Sequence, residues 1–244
     1  MKNSKIWILL TSIVLILSIT VIGTLAFLID TDEVINTFTV GNVQLKLDEA
    51  CVNEAGETVV GEDRVTSNEY KLMPGGVYAK DPTVTVLSGS EDAYIRMILT
   101  IHNHDAVQAI VDNPRHGLNG DYRGLLVNWA DGIWSYETCT VDAAANTISF
   151  EFRYHTTVSG HNPNGLAEDV VLEPLFTALS VPGTVNGDEL AALMGDNGES
   201  FQIDVVAHAI QSYSFADADA AWAAFDEQLA YEGSTANAVT TENP

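Results

Sequence analysis

The chain has 244 residues, 46% of them hydrophobic, with 34 acidic against 10 basic side chains and a formal net charge of −24. An imbalance of this size argues against nucleic acid and anionic membrane surfaces as partners, since both require cationic protein surface. It suits solubility, divalent cations, or packing in a polymer whose neighbouring subunits are screened by cations.

At the N-terminus, Lys2 and Lys5 precede a run without charge from Ile6 to Ile29, and Asp30, Asp32 and Glu33 follow it. A cationic start, an apolar stretch and the small residue Ala26 read as a signal peptide over residues 1–26. The 24-residue run is also long enough to remain as an uncut membrane anchor. Either way the charge bias places the remainder outside the cytoplasm, with membrane contact confined to this segment. Loss of residues 1–26, with Lys2 and Lys5, takes the net charge to −26 and leaves 218 residues, the length of one β-sandwich-sized domain or two small ones, of which one domain is read over 27–231. The small, polar segment 232–244 reads as a disordered tail. Cys51 and Cys139, 88 positions apart, admit one disulfide in an exported domain, two free thiols being the alternative.

In chain order, VINTFTVGNVQLKL (34–47) alternates about Gly41-Asn42 and predicts one or two strands with a bend. Residues 48–69 are acidic and lightly patterned, a loop or small hairpin with at most a short strand at 58–60. Pro74-Gly75-Gly76 marks a turn, and PTVTVLSG (82–89) a further extended run. The strongest strand is AYIRMILTIHN (93–103), with Ile95, Met97, Leu99 and Ile101 on a core face. The opposite face, Tyr94, Arg96, Ile98, Thr100 and His102, is mixed and suited to a helix or to partial solvent. Residues 105–112 predict two helical turns before Pro114; IWSYETCTV (133–141) and TISFEFRYHTTV (147–158) predict a hairpin. An extended segment follows at 170–183, then a short helix that Asp188 is placed to begin, and a last strand at 200–211 with Phe201, Ile203, Val205, Ala207 and Ala209 on one side. His208 falls on the other side as a half-buried packing residue. Trp222, Phe225 and Leu229 then mark an amphipathic helix with an acidic first turn. About eight strands with Gly, Pro and Asn turns indicate an all-β sandwich with peripheral helices and disfavour a central parallel sheet.

Chemistry-bearing patterns are few. The chain has no His-Glu-x-x-His, no Gly-x-Ser-x-Gly and no phosphate-binding glycine loop followed by lysine. His102 and His104 would share a strand face and, with Asp105 or His116, could ligate zinc; ordinary surface histidines are the alternative. Asp30, Asp32 and Glu33 offer weak calcium coordination at most, without a twelve-residue calcium loop. Trp129, Trp134, Tyr136 and Phe150 read either as a sugar platform or as core. No catalytic set and no firm cofactor emerge.

The segment GTLAFLIDTDEVINTFTVGNVQLKL (23–47) resembles the TasA/camelysin family. Gly23, Ala26, Phe27, Asp30, Asn36, Phe38, Thr39, Gly41 and Val43 fill its pattern, while Ile29 stands where small hydroxyl residues are frequent. KLMPGGVYAKDPTVTVLSGSEDAYIRM (71–97), EPLFTALSVPG (173–183) and the closing alanine- and tryptophan-containing helix extend the likeness over most of residues 1–231. The resemblance implies a jelly-roll-like antiparallel β-sandwich secreted by a Gram-positive bacterium through a SipW-type signal peptidase. It further implies a cell-surface or biofilm-matrix protein whose N-terminal strand, freed by cleavage, completes the next subunit's sheet and builds a head-to-tail fibre. Donor-strand candidates are Phe27, Leu28, Ile29, Val34, Ile35 and Phe38. Two alternatives stand beside it: a monomeric adhesin or binding module using the 48–69 and 104–128 insertions, and a camelysin-like metalloprotease, for which no zinc-hydrolase motif is present.

Overall fold

The computed structural model describes residues 29–31, 36–40, 42–194 and 201–239, with the backbone alone for the strands before residue 41 and for 231–239. The signal segment 1–26 lies outside the described residues. The strands in chain order are β1 (Ile29–Thr31), β2 (Asn36–Val40), β3 (Leu45–Asp48), β4 (Asn68–Tyr70), β5 (Val77–Ala79), β6 (Thr83–Val86) and β7 (Ala93–His102). They continue as β8 (Leu126–Val127), β9 (Trp134–Asp142), β10 (Thr147–Tyr154), β11 (Val170–Val171), β12 (Ala178–Ser180) and β13 (Ile203–Gln211). Among the described residues three α-helices accompany them: α1 (His104–Asp112), α2 (Gly187–Leu193) and α3 (Ala218–Val239).

The largest sheet has the order β2-β13-β7-β10-β9, and two three-stranded sheets have the orders β11-β6-β3 and β5-β12-β8. β1 and β4 form a separate antiparallel pair. Among the described residues all strand pairings are antiparallel except that of β2 with β13. The arrangement is consistent with an all-β sandwich, and the single parallel pair at one edge is a feature that the sequence pattern does not announce.

The period-2 reading of β7 is correct. Ile95, Met97, Leu99 and Ile101 are each at most 3% exposed and share one core with Leu47 of β3, Val84 and Val86 of β6, Phe152 of β10 and Val205 of β13. At about 1.5–3 kcal/mol per fully buried large apolar side chain, these four residues are a main source of sheet cohesion. The other face of β7 meets α3: Ile210, Ala221, Trp222 and Phe225 form a second, separate apolar cluster, with Tyr94 and Leu229 packed against it.

The 48–69 stretch agrees with its reading as a loop or small hairpin, with no strand at 58–60 and an antiparallel bridge between Val52 and Thr58. Three local expectations change. β7 ends at His102 because Asn103 takes a left-handed conformation, φ 55°, and His104 already belongs to α1. α2 starts from Asn186, whose side chain accepts from the Asp188 and Glu189 backbone N–H groups while Glu189 reaches back to the Asn186 N–H, a reciprocal capping box. The C-terminal helix continues to Val239, into the segment that composition reads as tail.

Candidate functional site

The N-terminal strands occupy two edges. β2 lies beside β13, with Asn36 opposite Ala207 and Val40 opposite Ile210, and the register shifts between Ala207 and Ala209. β1 pairs with β4 over three positions, Ile29 with Tyr70, Asp30 with Glu69 and Thr31 with Asn68. Of the donor-strand candidates, Ile29 therefore falls in β1 and Phe38 in β2. Phe27, Leu28, Val34 and Ile35 lie outside the described residues.

Directly behind β4 is a buried polar cluster. Glu49, 0% exposed, follows β3; Lys80, 2% exposed, follows β5; Asn68, 7% exposed, opens β4. The Lys80 ammonium donates to Glu49 Oε2 at 2.8 Å, and Asn68 Nδ2 donates to Glu49 Oε1 at 2.8 Å and to the Ala50 carbonyl at 2.9 Å. Asn68 Oδ1 accepts from the Val52 N–H at 3.0 Å. The Tyr70 hydroxyl donates to the Ala79 carbonyl at 2.8 Å; burial, with the Glu49 charge adding to it, pushes the phenol well above its usual range, so it stays protonated. Arg64 bonds residues that flank the cluster in sequence, donating to Asp48 Oδ1 at 2.5 Å, Asp81 Oδ2 at 2.9 Å and Thr83 Oγ1 at 2.8 Å.

The second polar cluster joins β7 to α3. Arg96, 3% exposed, donates to both oxygens of Asp226, at 2.5 and 3.2 Å, to Glu151 Oε2 at 3.4 Å and through Nε to His208 Nδ1 at 3.1 Å. Its guanidinium carbon lies 4.5 Å from the Trp222 ring centre and 5.0 Å from that of Phe225. Burial and the adjacent Arg96 charge, against an opposing pull from Asp226, lower the His208 pKa to about 4, so the neutral ring accepts from Arg96.

The histidines of the metal hypothesis separate. His102 Nε2 pairs with Asp204 Oδ2 at 2.7 Å, whereas His104 is buried and stacked on Tyr122 with ring centres 6.3 Å apart. The left-handed turn at Asn103 breaks the shared strand face on which the pair depended. His116 is buried against Thr184 and Glu189, at 2.7 and 3.3 Å. The Glu189 carboxyl is held below its usual range chiefly by the Asn186 backbone N–H, against some desolvation, with His116 assisting. Among the described residues no three His, Cys, Asp or Glu side chains converge as a metal site.

Of the aromatic residues, Trp134 is fully buried and Phe150 is buried, whereas Tyr136 is 40% exposed. Tyr136 packs on Phe150 and Phe152, and Trp129 edges onto Phe152, so the four serve the core and its rim. Cys51 is half-buried and Cys139 exposed in β9; both are free thiols, and the disulfide that the sequence admits is not made. Among the described residues no helix is long and apolar enough to cross a membrane.

Glu49 and Asn68 were not singled out by motif, and Lys80 and Arg96 stood in the 71–97 segment of the family resemblance with no role assigned. The available signal was weak: a lysine beside a turn and an arginine standing in an otherwise apolar strand. No family model, curated protein or solved structure matches the chain.

Proposed function

We propose that this protein is an exported structural subunit of a bacterial cell surface or biofilm matrix, a jelly-roll-like sandwich that assembles head to tail by exchange of its N-terminal strands. The observation supporting this reading is how those strands are held within one chain. β2 is the one parallel strand at the edge of an otherwise antiparallel sheet, and its register is irregular. β1 has three paired positions, one of which sets Asp30 opposite Glu69. Parallel pairing is slightly weaker per residue, and like charges directly opposite one another oppose pairing. Strands held this loosely can leave their own sheet and supply the same main-chain hydrogen bonds to a neighbour. Donor and acceptor surfaces differ, so the contact propagates as an open filament. Export through a SipW-type signal peptidase would free the segment that begins at Phe27.

The test compares two purified chains by negative-stain electron microscopy, with and without calcium. The chain beginning at Phe27 forms filaments, and the chain beginning at Gly41 stays monodisperse. Filaments from the shorter chain would overturn strand exchange, and persistent single particles from the longer one would overturn the structural role.

A further inference from the structure

The buried cluster behind β4 brings together an amine, a carboxylate and a carboxamide, and we propose that Lys80 and Asn68 become joined by an intramolecular isopeptide bond, with Glu49 as the proton carrier. Three observations carry this. All three side chains are at least nine-tenths buried, so the groups are held away from water. The two oxygens of the single Glu49 carboxylate are bonded one to Lys80 Nζ and one to Asn68 Nδ2, each at 2.8 Å, which places the nucleophile and the leaving group on the same acid. The Val52 N–H, 3.0 Å from Asn68 Oδ1, is aimed where negative charge develops when the amide carbon is attacked.

The chemistry balances without any co-reactant. One proton passes from Lys80 Nζ to Glu49 along their hydrogen bond, leaving neutral amine and neutral acid in a site that solvates charge poorly. The Nζ lone pair attacks Asn68 Cγ, a C–N bond forms, and the oxygen of the tetrahedral centre is held by the Val52 N–H. Glu49 donates its proton to Nδ2, the Cγ–Nδ2 bond breaks and ammonia leaves. The surplus proton on Nζ returns to Glu49, which ends as an acid hydrogen-bonded to the new secondary amide. Amine and carboxamide become amide and ammonia, with no change of oxidation state. Holding amine and carboxamide on one carboxylate is what makes an otherwise slow aminolysis feasible.

The bond would tie β4 to the chain just past β5, fixing the strand on which β1 rests. It does not depend on whether the protein polymerises.

The test is the intact mass of the purified folded chain in denaturant, followed by tryptic mapping. The expected mass is short by one ammonia, and trypsin yields a branched species joining residues 65–71 to residues 72–96, uncut at Lys80. Glu49→Gln and Lys80→Arg each restore the full mass. The map of the native sequence decides the matter even if those variants fold poorly. Full mass in folded protein after prolonged incubation would overturn the proposal. So would an ammonia deficit that persists in Lys80→Arg or maps to an Asn-Gly pair, since succinimide formation loses the same mass.

Discussion

Arg96 on the central strand β7 grips Asp226 on helix α3 through both carboxylate oxygens, the shorter contact being 2.5 Å. The two residues are 130 positions apart, and the pair, its guanidinium lying beside the Trp222 and Phe225 rings, helps to fasten the C-terminal helix to the outer face of the five-stranded sheet, together with the Arg153–Asp219 ion pair and the apolar cluster beneath the helix.

Replacing Arg96 by alanine therefore removes a buried anchor of the helix and the cation that lies beside two rings. The expected loss is about 2–4 kcal/mol, from charged hydrogen bonds and a desolvated cation–π contact. Asp226→Ala costs much less, under about 1 kcal/mol, because its side chain is 55% exposed and water replaces part of what is lost. Arg96→Lys does not rescue, since a point charge cannot make the bidentate contact. Urea unfolding followed by tryptophan fluorescence would rank the three; equal losses for Arg96→Ala and Asp226→Ala would refute this anchoring account.

His208 gives stability a pH dependence whose sign follows from its depressed pKa of about 4 against an ordinary value of 6.5. The unfolded chain binds the proton first as pH falls, so this contribution is complete above pH 6.5 and is lost on descending towards pH 4. The slope approaches about 1.4 kcal/mol per pH unit within that window. His208→Gln keeps an acceptor for Arg96 but cannot titrate, and its stability should lack that slope. An unchanged slope in the variant would assign the acid sensitivity to other groups.

Gly160 has no room for a side chain. A Cβ there would collide with the Leu87 carbonyl oxygen and lie 2.6 Å from the Ser90 nitrogen, both backbone atoms that cannot swing aside. Gly160→Ala is expected to cost about 1–3 kcal/mol through forced backbone movement. Thermal unfolding would check it, with Gly132→Ala as the contrast: no neighbour lies within 4 Å there, and only the positive φ of 81° resists.

The capping box of α2 is separable from its packing. Asn186→Ala removes the acceptor for two backbone N–H groups and should cost about 1 kcal/mol. Asn186→Ser should recover most of that loss, and a serine variant as unstable as alanine would mean that the side chain acts otherwise than as a cap.

Much of this was readable in the amino-acid order where a local rule decided the outcome. Ile95, Met97, Leu99 and Ile101 alternate, and a buried sheet face follows; Trp222, Phe225 and Leu229 recur at helical spacing, and α3 packs by that face. Arg96 was legible only as a residue on a mixed face, because its burial depends on Asp226 and His208, which no local pattern links to it. The His102 and His104 pair failed for a comparably local reason, a single left-handed residue between them. Glu49, Asn68 and Lys80 sit in text that reads as loop and turn, and only the folding of β3, β4 and β5 towards one another makes them a cluster. The parallel placement of β2 was equally hidden, since period-2 alternation sets which residues share a face and not the direction of the neighbour.

The second apolar cluster, under α3, is distinct from the core between the sheets. The helix can therefore lift away without emptying the interior, as a cooperative opening smaller than global unfolding. Native-state hydrogen exchange should resolve it: amides of residues 221–229 would exchange through an opening of lower free energy than those of β7, and Arg96→Ala would lower the first barrier further while leaving a β-sheet domain intact. Viewed in this way the molecule has two stability thresholds, one for its sheets and one for its closing helix.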